Sequence, residues 1–240
     1  MNQPEFDPRT FDAYAAQYDA ALQQGLAVSG EGKEYFAQGR INWLTKLLAG
    51  LREEPQSVLD FGCGTGTSAR LFRDRFPRAE ILGVDVSAKS LEIARELHGS
   101  RQIGFASLTE YQPEERFALA FCNGVFHHIS LPDRAGAVNY VFRCLRLGGL
   151  FAFWENNPWN PGARLVMKRI PFDRDAIPLS PLNAARLLRA GGFQILRTDF
   201  QFIFPRVLKC LRGFEPILSR LPLGAQYQVL CRKPEGATVR

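Results

Sequence analysis

Apolar residues change their spacing twice along the chain. Within residues 8–50, Phe11, Tyr14, Ala15 and Tyr18 recur at i, i+3, i+4 and i+7, and Ile41, Leu44, Leu47 and Leu48 form a second helical stripe. The stretch between them, GLAVSGEGKEYF, is polar and glycine-rich and reads as a loop. From residue 57 short apolar runs alternate with amphipathic ones. SVLDF, AEILGVDV, QIGFAS, FALAFCNG and GLFAFWE are predicted strands, and the all-apolar fourth suits a strand buried on both faces. TSARLFRDRF, SAKSLEIARELH and a stretch at about 133–146 are predicted helices, the second capped by Ser87 and the third stopping at Gly148. Strands alternating with helices predict an α/β fold, a parallel sheet with helices on both faces.

After residue 156 the rhythm breaks. NNPWNPGARLVMKRIPFDRDAIPL is long, proline-rich and cationic. SPLNAARLLRAGGF is a predicted helix, with Ser180 as cap, Pro181 in the first turn and Gly191 past the end. FQILRTDFQF and AQYQVLCRK read as two final strands, and between them lies the apolar and basic FPRVLKCLRGFEPILSRLPLG.

Composition adds limits. A chain of 240 residues, 46% apolar and 22% charged, can bury a core of ordinary size. The net charge of +6 suits anionic partners, yet the arginines are spread along the whole sequence, as on a solvated basic surface. Cysteines stand at 63, 122, 144, 210 and 231, with no C-x-x-C pair. Their odd number and apolar surroundings point to reduced thiols in a cytoplasmic protein and to no metal site. The first residues lack the apolar stretch of a secretion signal, and no apolar run reaches the roughly 18 residues of a spanning helix.

The candidate chemistry starts at VLDFGCGTG. Gly62, Gly64 and Gly66 follow the first strand at the mouth of a parallel sheet, where nucleoside ligands bind. Their G-x-G-x-G spacing is neither the dinucleotide G-x-G-x-x-G nor a phosphate loop ending in G-K-[ST]. Asp60 stands two residues before Gly62, and a carboxylate there repels a pyrophosphate but suits a ligand with positive charge. Asp85 ends the second strand, 19 residues after Gly66, where an acid can take two ribose hydroxyls.

VLDFGCGTG, ILGVDVSAKSLEIAR, FCNGVFHHI and CLRLGGLFAF together resemble, in register from about 57 to 156, the class I S-adenosylmethionine-dependent methyltransferases. FDAYAAQYD is similar to the N-terminal cap helix of the small-molecule members. The resemblance implies a single domain over 1–240, with a helical cap (1–50), a cofactor core (57–156) and a substrate region with the final strands (157–240). It implies a Rossmann-like seven-stranded sheet in the order 3-2-1-4-5-7-6 with strand 7 antiparallel. It implies S-adenosylmethionine as cofactor and S-adenosylhomocysteine as product. Asp60 would orient the ligand's amino group, with Gly62, Cys63, Gly64 and Gly66 bringing the backbone against its amino-acid part. Asp85 would take the ribose and Val86 the adenine. FASLTEYQ offers no acid for the adenine amino group, leaving Ser107 or the Leu108 backbone. Asn123, Tyr18 and Arg40 would lie near the methionine part, Arg40 facing its carboxylate. Cys63 itself reads as a small residue tucked under the loop, for no metal-ligand partner stands near it.

Methyl transfer needs position and exclusion of water, and a base only where the acceptor has a proton to lose. His127, His128, Glu155 and Tyr14 are the candidates at the sheet's carboxyl edge and in the cap. His128 is equally a residue that packs against the cofactor. Residues 157–180 and 204–224 are expected to select the acceptor. In the second, Leu208, Leu211, Ile217, Leu218 and Leu221 interleave with Arg206, Lys209, Arg212 and Arg220. That pattern suits a peripheral membrane contact, or a lid packing its apolar face on the domain.

NGVF stands where base-modifying enzymes carry N-P-P-Y, which argues against nucleic acid and for a small-molecule acceptor, in a monomer or homodimer. O- or N-methylation of a secondary metabolite, quinone-like or lipid-linked acceptor is the expected reaction. Two other readings stay open. One is a non-catalytic protein that binds the cofactor as a sensor or partner subunit. The other is a nicotinamide-dependent oxidoreductase, which needs the glycine spacing that is absent.

Overall fold

The computed structural model describes residues 18–173 and 176–236. Two helices, α1 (Tyr18–Leu26) and α2 (Lys33–Leu51), lead into β1 (Ser57–Phe61), α3 (Thr67–Arg75), β2 (Glu80–Asp85), α4 (Ala88–His98), β3 (Ile103–Ser107) and β4 (Phe117–Asn123). Next come α5 (Arg134–Cys144), β5 (Leu145–Asn156), α6 (Pro161–Arg169), α7 (Pro181–Ala190), β6 (Gln194–Gln201), the four-residue α8 (Glu215–Leu218) and β7 (Gln226–Arg232). Short 3-10 turns occupy Ala27–Ser29, Pro171–Asp173 and Arg206–Phe214. The strands form one sheet in the order β3-β2-β1-β4-β5-β7-β6. β7 runs antiparallel to both β5 and β6 and the remaining pairs are parallel, which is the expected topology.

Side chains alternate across each strand, so a central strand supplies two cores. Along β5, Phe151 and Phe153 join Val138, Val141 and Phe142 of α5 and Leu188 of α7. Leu150, Ala152 and Trp154 face the other way, onto Leu44 and Leu48 of α2, Phe72 of α3 and Leu91 of α4. This is why β4 and β5 carry unbroken apolar runs.

Local signals placed several boundaries. Ser87 accepts from Ser90 N at 3.1 Å and opens α4, and Ser180 accepts from Asn183 N at 3.3 Å before Pro181 opens α7. Others moved. KEYF opens α2 instead of belonging to the preceding loop, and Phe36 is buried. α5 stops at Cys144 rather than near Gly148, because the chain turns directly into β5. Gly148 (φ +73°) lies within β5, where its N–H donates to Lys233 O. The proline-rich stretch after 156 contains α6, capped by Asn160 through Ala163 N at 2.9 Å. The apolar and basic segment after β6 is a 3-10 run followed by α8, and none of Arg206–Phe214 is buried.

Candidate functional site

The glycine loop leaves β1 at the carboxyl edge of the sheet. Gly62 N and Cys63 N both donate to Val84 O, at 2.8 and 3.1 Å, tying the loop to β2. Gly62 is left-handed (φ +71°), and a Cβ there would collide with Val125. Gly64 is also left-handed (φ +51°), but its missing Cβ points into open space. Glycine at 62 thus serves packing, whereas at 64 it keeps the backbone open to a ligand. Cys63 is buried, and its sulfur lies where a side chain on Gly83 would sit, so the thiol packs beneath the loop as its surroundings predict. Burial pushes that thiol well above its ordinary range.

Asp85 accepts from Gly64 N (2.8 Å, Oδ2) and from Ser87 N (2.9 Å, Oδ1). The carboxylate therefore spans the loop and the start of α4, at the wall of a cleft. Val86, Leu108 and Ile129 give that cleft an apolar end. Leu108 is brought there by its N–H bond to Asp85 O. The Ser107 hydroxyl instead engages Thr109 Oγ1 at 2.8 Å.

Gly62, Gly64, Thr65 and Asn123 line this cleft and also an adjoining recess that holds Arg40 and Asp60. Asp60 is 2% exposed, and its Oδ2 has no hydrogen-bond partner. Burial, reinforced by the Asp85 charge and partly offset by Arg40, pushes its carboxyl up to about 7. Asn123 Oδ1 is a second buried acceptor without a partner. A ligand ammonium seated here would supply the donor these oxygens lack and favour the ionised Asp60. The residues therefore fit a nucleoside carrying an amino-acid tail: an apolar end, an acid between them for a sugar, and an acidic end. Arg40 donates from Nη1 to Gln226 Oε1 at 2.9 Å, so α2 is bound to β7 at the side of this recess.

The base candidates separate. His127 and Glu155 are both buried, with Nδ1 and Oε2 at 2.6 Å. Glu155 Oε1 accepts from Phe126 N and His127 N at 2.8 and 3.3 Å. His128 lines the cleft, and its Nε2 lies 3.2 Å from Asp173 Oδ1. Asp173 also faces His127 Nε2, at 3.5 Å. Burial and the neighbouring His127 lower the His128 imidazole, against the pull of Asp173. Asp173 was not anticipated, because only folding brings the proline-rich segment onto the histidine loop, where Ile177 N also bonds His127 O. Tyr14 lies outside the described residues, as does the side chain of Tyr18.

The comparisons with known proteins follow the same lines. Residues 58–149 match the methyltransferase domain family. The trans-aconitate 2-methyltransferase of Azoarcus sp. is 32% identical over 137 residues, 57% of this chain and 53% of that protein. Its counterpart in Escherichia coli O7:K1 is 29% identical over 212 residues, 82% and 83% of the two chains. The chain spans about half the length of the first curated relatives it matches. Among solved structures, an S-adenosylmethionine-dependent methyltransferase from Mesorhizobium loti has a TM-score of 0.57 at 20% identity, covering 78% of this chain and 96% of its own. The [4+2]-cyclase SpnF has a TM-score of 0.64 at 19% identity, covering 98% and 99%. The family match over residues 58–149, the relatives and the sheet order together support a class I S-adenosylmethionine-dependent methyltransferase.

Proposed function

We propose that this protein transfers a methyl group from S-adenosylmethionine to a small-molecule acceptor. The observation that carries the reading is the continuous cleft with Asp85 on its wall and the unpartnered Asp60 Oδ2 in its recess. The cofactor, when bound, supplies an activated methyl on a sulfonium. Asp60 and Asn123 would hold its ammonium, Asp85 its ribose, and Val86 and Leu108 its adenine. Gly64 lets the backbone approach the amino-acid part. His128, its imidazole lowered by burial, lines the same cleft and would pack against the cofactor. His127 and Glu155 act as positioning residues, since Glu155 holds His127 Nδ1 with one oxygen and the loop N–H groups of Phe126 and His127 with the other.

Incubation with labelled S-adenosylmethionine and a metabolite extract tests this directly. A labelled small molecule is expected. Calorimetry showing binding of NAD and not of S-adenosylmethionine would overturn the reading. Tight cofactor binding with no labelled product would favour the non-catalytic reading, which the paired state of His127 and Glu155 keeps in play.

The segment 204–224 supports a peripheral contact with an anionic membrane surface. Val207 is 86% and Ile217 78% exposed, with Phe214, Leu221 and Leu223 exposed beside them. Arg206, Lys209 and Arg220 are interleaved with these residues. A lid would bury that apolar set on the domain, whereas here it faces outward next to cations.

A further inference from the structure

A second cavity, of about 370 Å³, lies where the start of α2, α6 and the chain after β6 converge. Tyr35, Phe36, Val166, Phe202 and Phe204 give it aromatic and aliphatic walls. Its charged lining among the described residues is Glu31 and Arg212, which are paired at 2.9 Å. Arg212 also donates to Phe204 O at 3.1 Å and lies 4.5 Å from the Tyr35 ring centroid. Arg212 Nη2 is buried with no hydrogen-bond partner. Toward the cofactor recess the cavity is bounded by a hydrogen-bonded chain, Arg40 to Gln226 (2.9 Å) to Asn156 (3.1 Å). Arg40 belongs to the recess, and Gln226 and Asn156 to the cavity.

We infer that this cavity takes the acceptor, and that the acceptor is an uncharged, largely aromatic or aliphatic molecule with one oxygen for Arg212 Nη2, not a polycarboxylate. The inference rests on the methyl-transfer reading for the word acceptor, and on the cavity alone for the ligand class. The trans-aconitate enzymes to which the chain is similar are named for a tricarboxylate. Such an anion would bury three negative charges against a lining in which Arg212, the cation among the described residues, is already neutralised by Glu31. An apolar molecule replaces water along the aromatic walls and leaves the ion pair intact.

Calorimetry on the full chain with 2-naphthol and with trans-aconitate as probes separates the two classes. 2-Naphthol is expected to bind at one site, and trans-aconitate neither to bind nor to compete. Val166→Trp and Ala163→Phe fill the cavity and should each weaken 2-naphthol binding at least tenfold. S-adenosylmethionine affinity and the circular dichroism spectrum should stay unchanged, which shows that the variants fold. Competition by trans-aconitate, no binding of 2-naphthol to the wild type, or binding indifferent to both variants overturns the inference. Loss of S-adenosylmethionine binding by the wild type would instead remove the methyl-transfer reading, while the naphthol result would still report the ligand class.

Discussion

His127 Nδ1 stands 2.6 Å from Glu155 Oε2, inside the protein at 3% and 1% exposure. The pair joins the end of β5 to the loop after β4, whose Gly124, Val125, His128 and Ile129 line the cofactor cleft. Burial by itself would depress the imidazole, but the Glu155 and Asp173 carboxylates overcome that and push it up to about 10.

Breaking that pair should be costly. Glu155→Ala leaves a buried imidazole and the N–H groups of Phe126 and His127 without their acceptor, and is expected to lose about 3–5 kcal/mol of stability. Urea unfolding checks it. The pH profile carries a sign. A raised folded pKa means that the contribution is complete below the unfolded value of about 6.5. It is lost as pH climbs toward about 10. Wild-type midpoints should therefore fall from neutral to alkaline pH, and Glu155→Gln should flatten that slope.

Cofactor affinity should depend on pH through Asp60. Its carboxyl lies at about 7 and binds a cation only when ionised, so affinity is expected to drop as pH falls below 7, approaching about tenfold per unit. Binding near pH 7 should release a proton, seen as a dependence of the calorimetric heat on the buffer. Asp60→Asn should bind about tenfold or more weakly and lose both effects. A variant with the wild-type pH dependence would show that another group carries it.

Two neighbouring glycines should fail in different ways. Gly62→Ala meets Val125 and forces a left-handed alanine, so it is expected to destabilise the fold by about 1–3 kcal/mol. Gly64→Val enters open space and pays mainly the left-handed strain, but its side chain occupies the ligand side of the loop. It should weaken S-adenosylmethionine binding at least tenfold with a smaller change in melting temperature. Parallel thermal melts and calorimetry separate the two.

Vesicles rich in phosphatidylglycerol should retain the protein at low salt and release it at high salt, as expected for an apolar contact assisted by cations. Val207→Asp with Ile217→Asp should abolish flotation and leave cofactor affinity unchanged. Flotation that never occurs at low salt would eliminate the membrane contact.

Much of the cofactor core was legible because its signals are local. The apolar runs of β1, β4 and β5, the caps Ser87 and Ser180, and the spacing of Asp60, Gly62, Gly64 and Asp85 need only neighbouring residues to be read. Gly148 misled because a left-handed glycine serves a strand irregularity as well as a helix end. The segment after β6 left two readings because an amphipathic pattern does not say whether its apolar side meets protein or solvent; the fold turns Val207 and Ile217 outward.

The sequence by itself determined the order of elements, the glycine loop and the placing of Asp60 and Asp85 beside it. It did so because strand periodicity, glycine conformation and carboxylate charge are properties of short stretches. Only the tertiary structure decided which titratable groups are free to act. Glu155 and His127 are 28 residues apart and silence one another. Asp173 comes from a segment beyond β5 to reach His128, and Glu31 reaches across 181 positions to neutralise Arg212. Protonation and ligand class depend on burial and on such distant charges, which no local pattern contains.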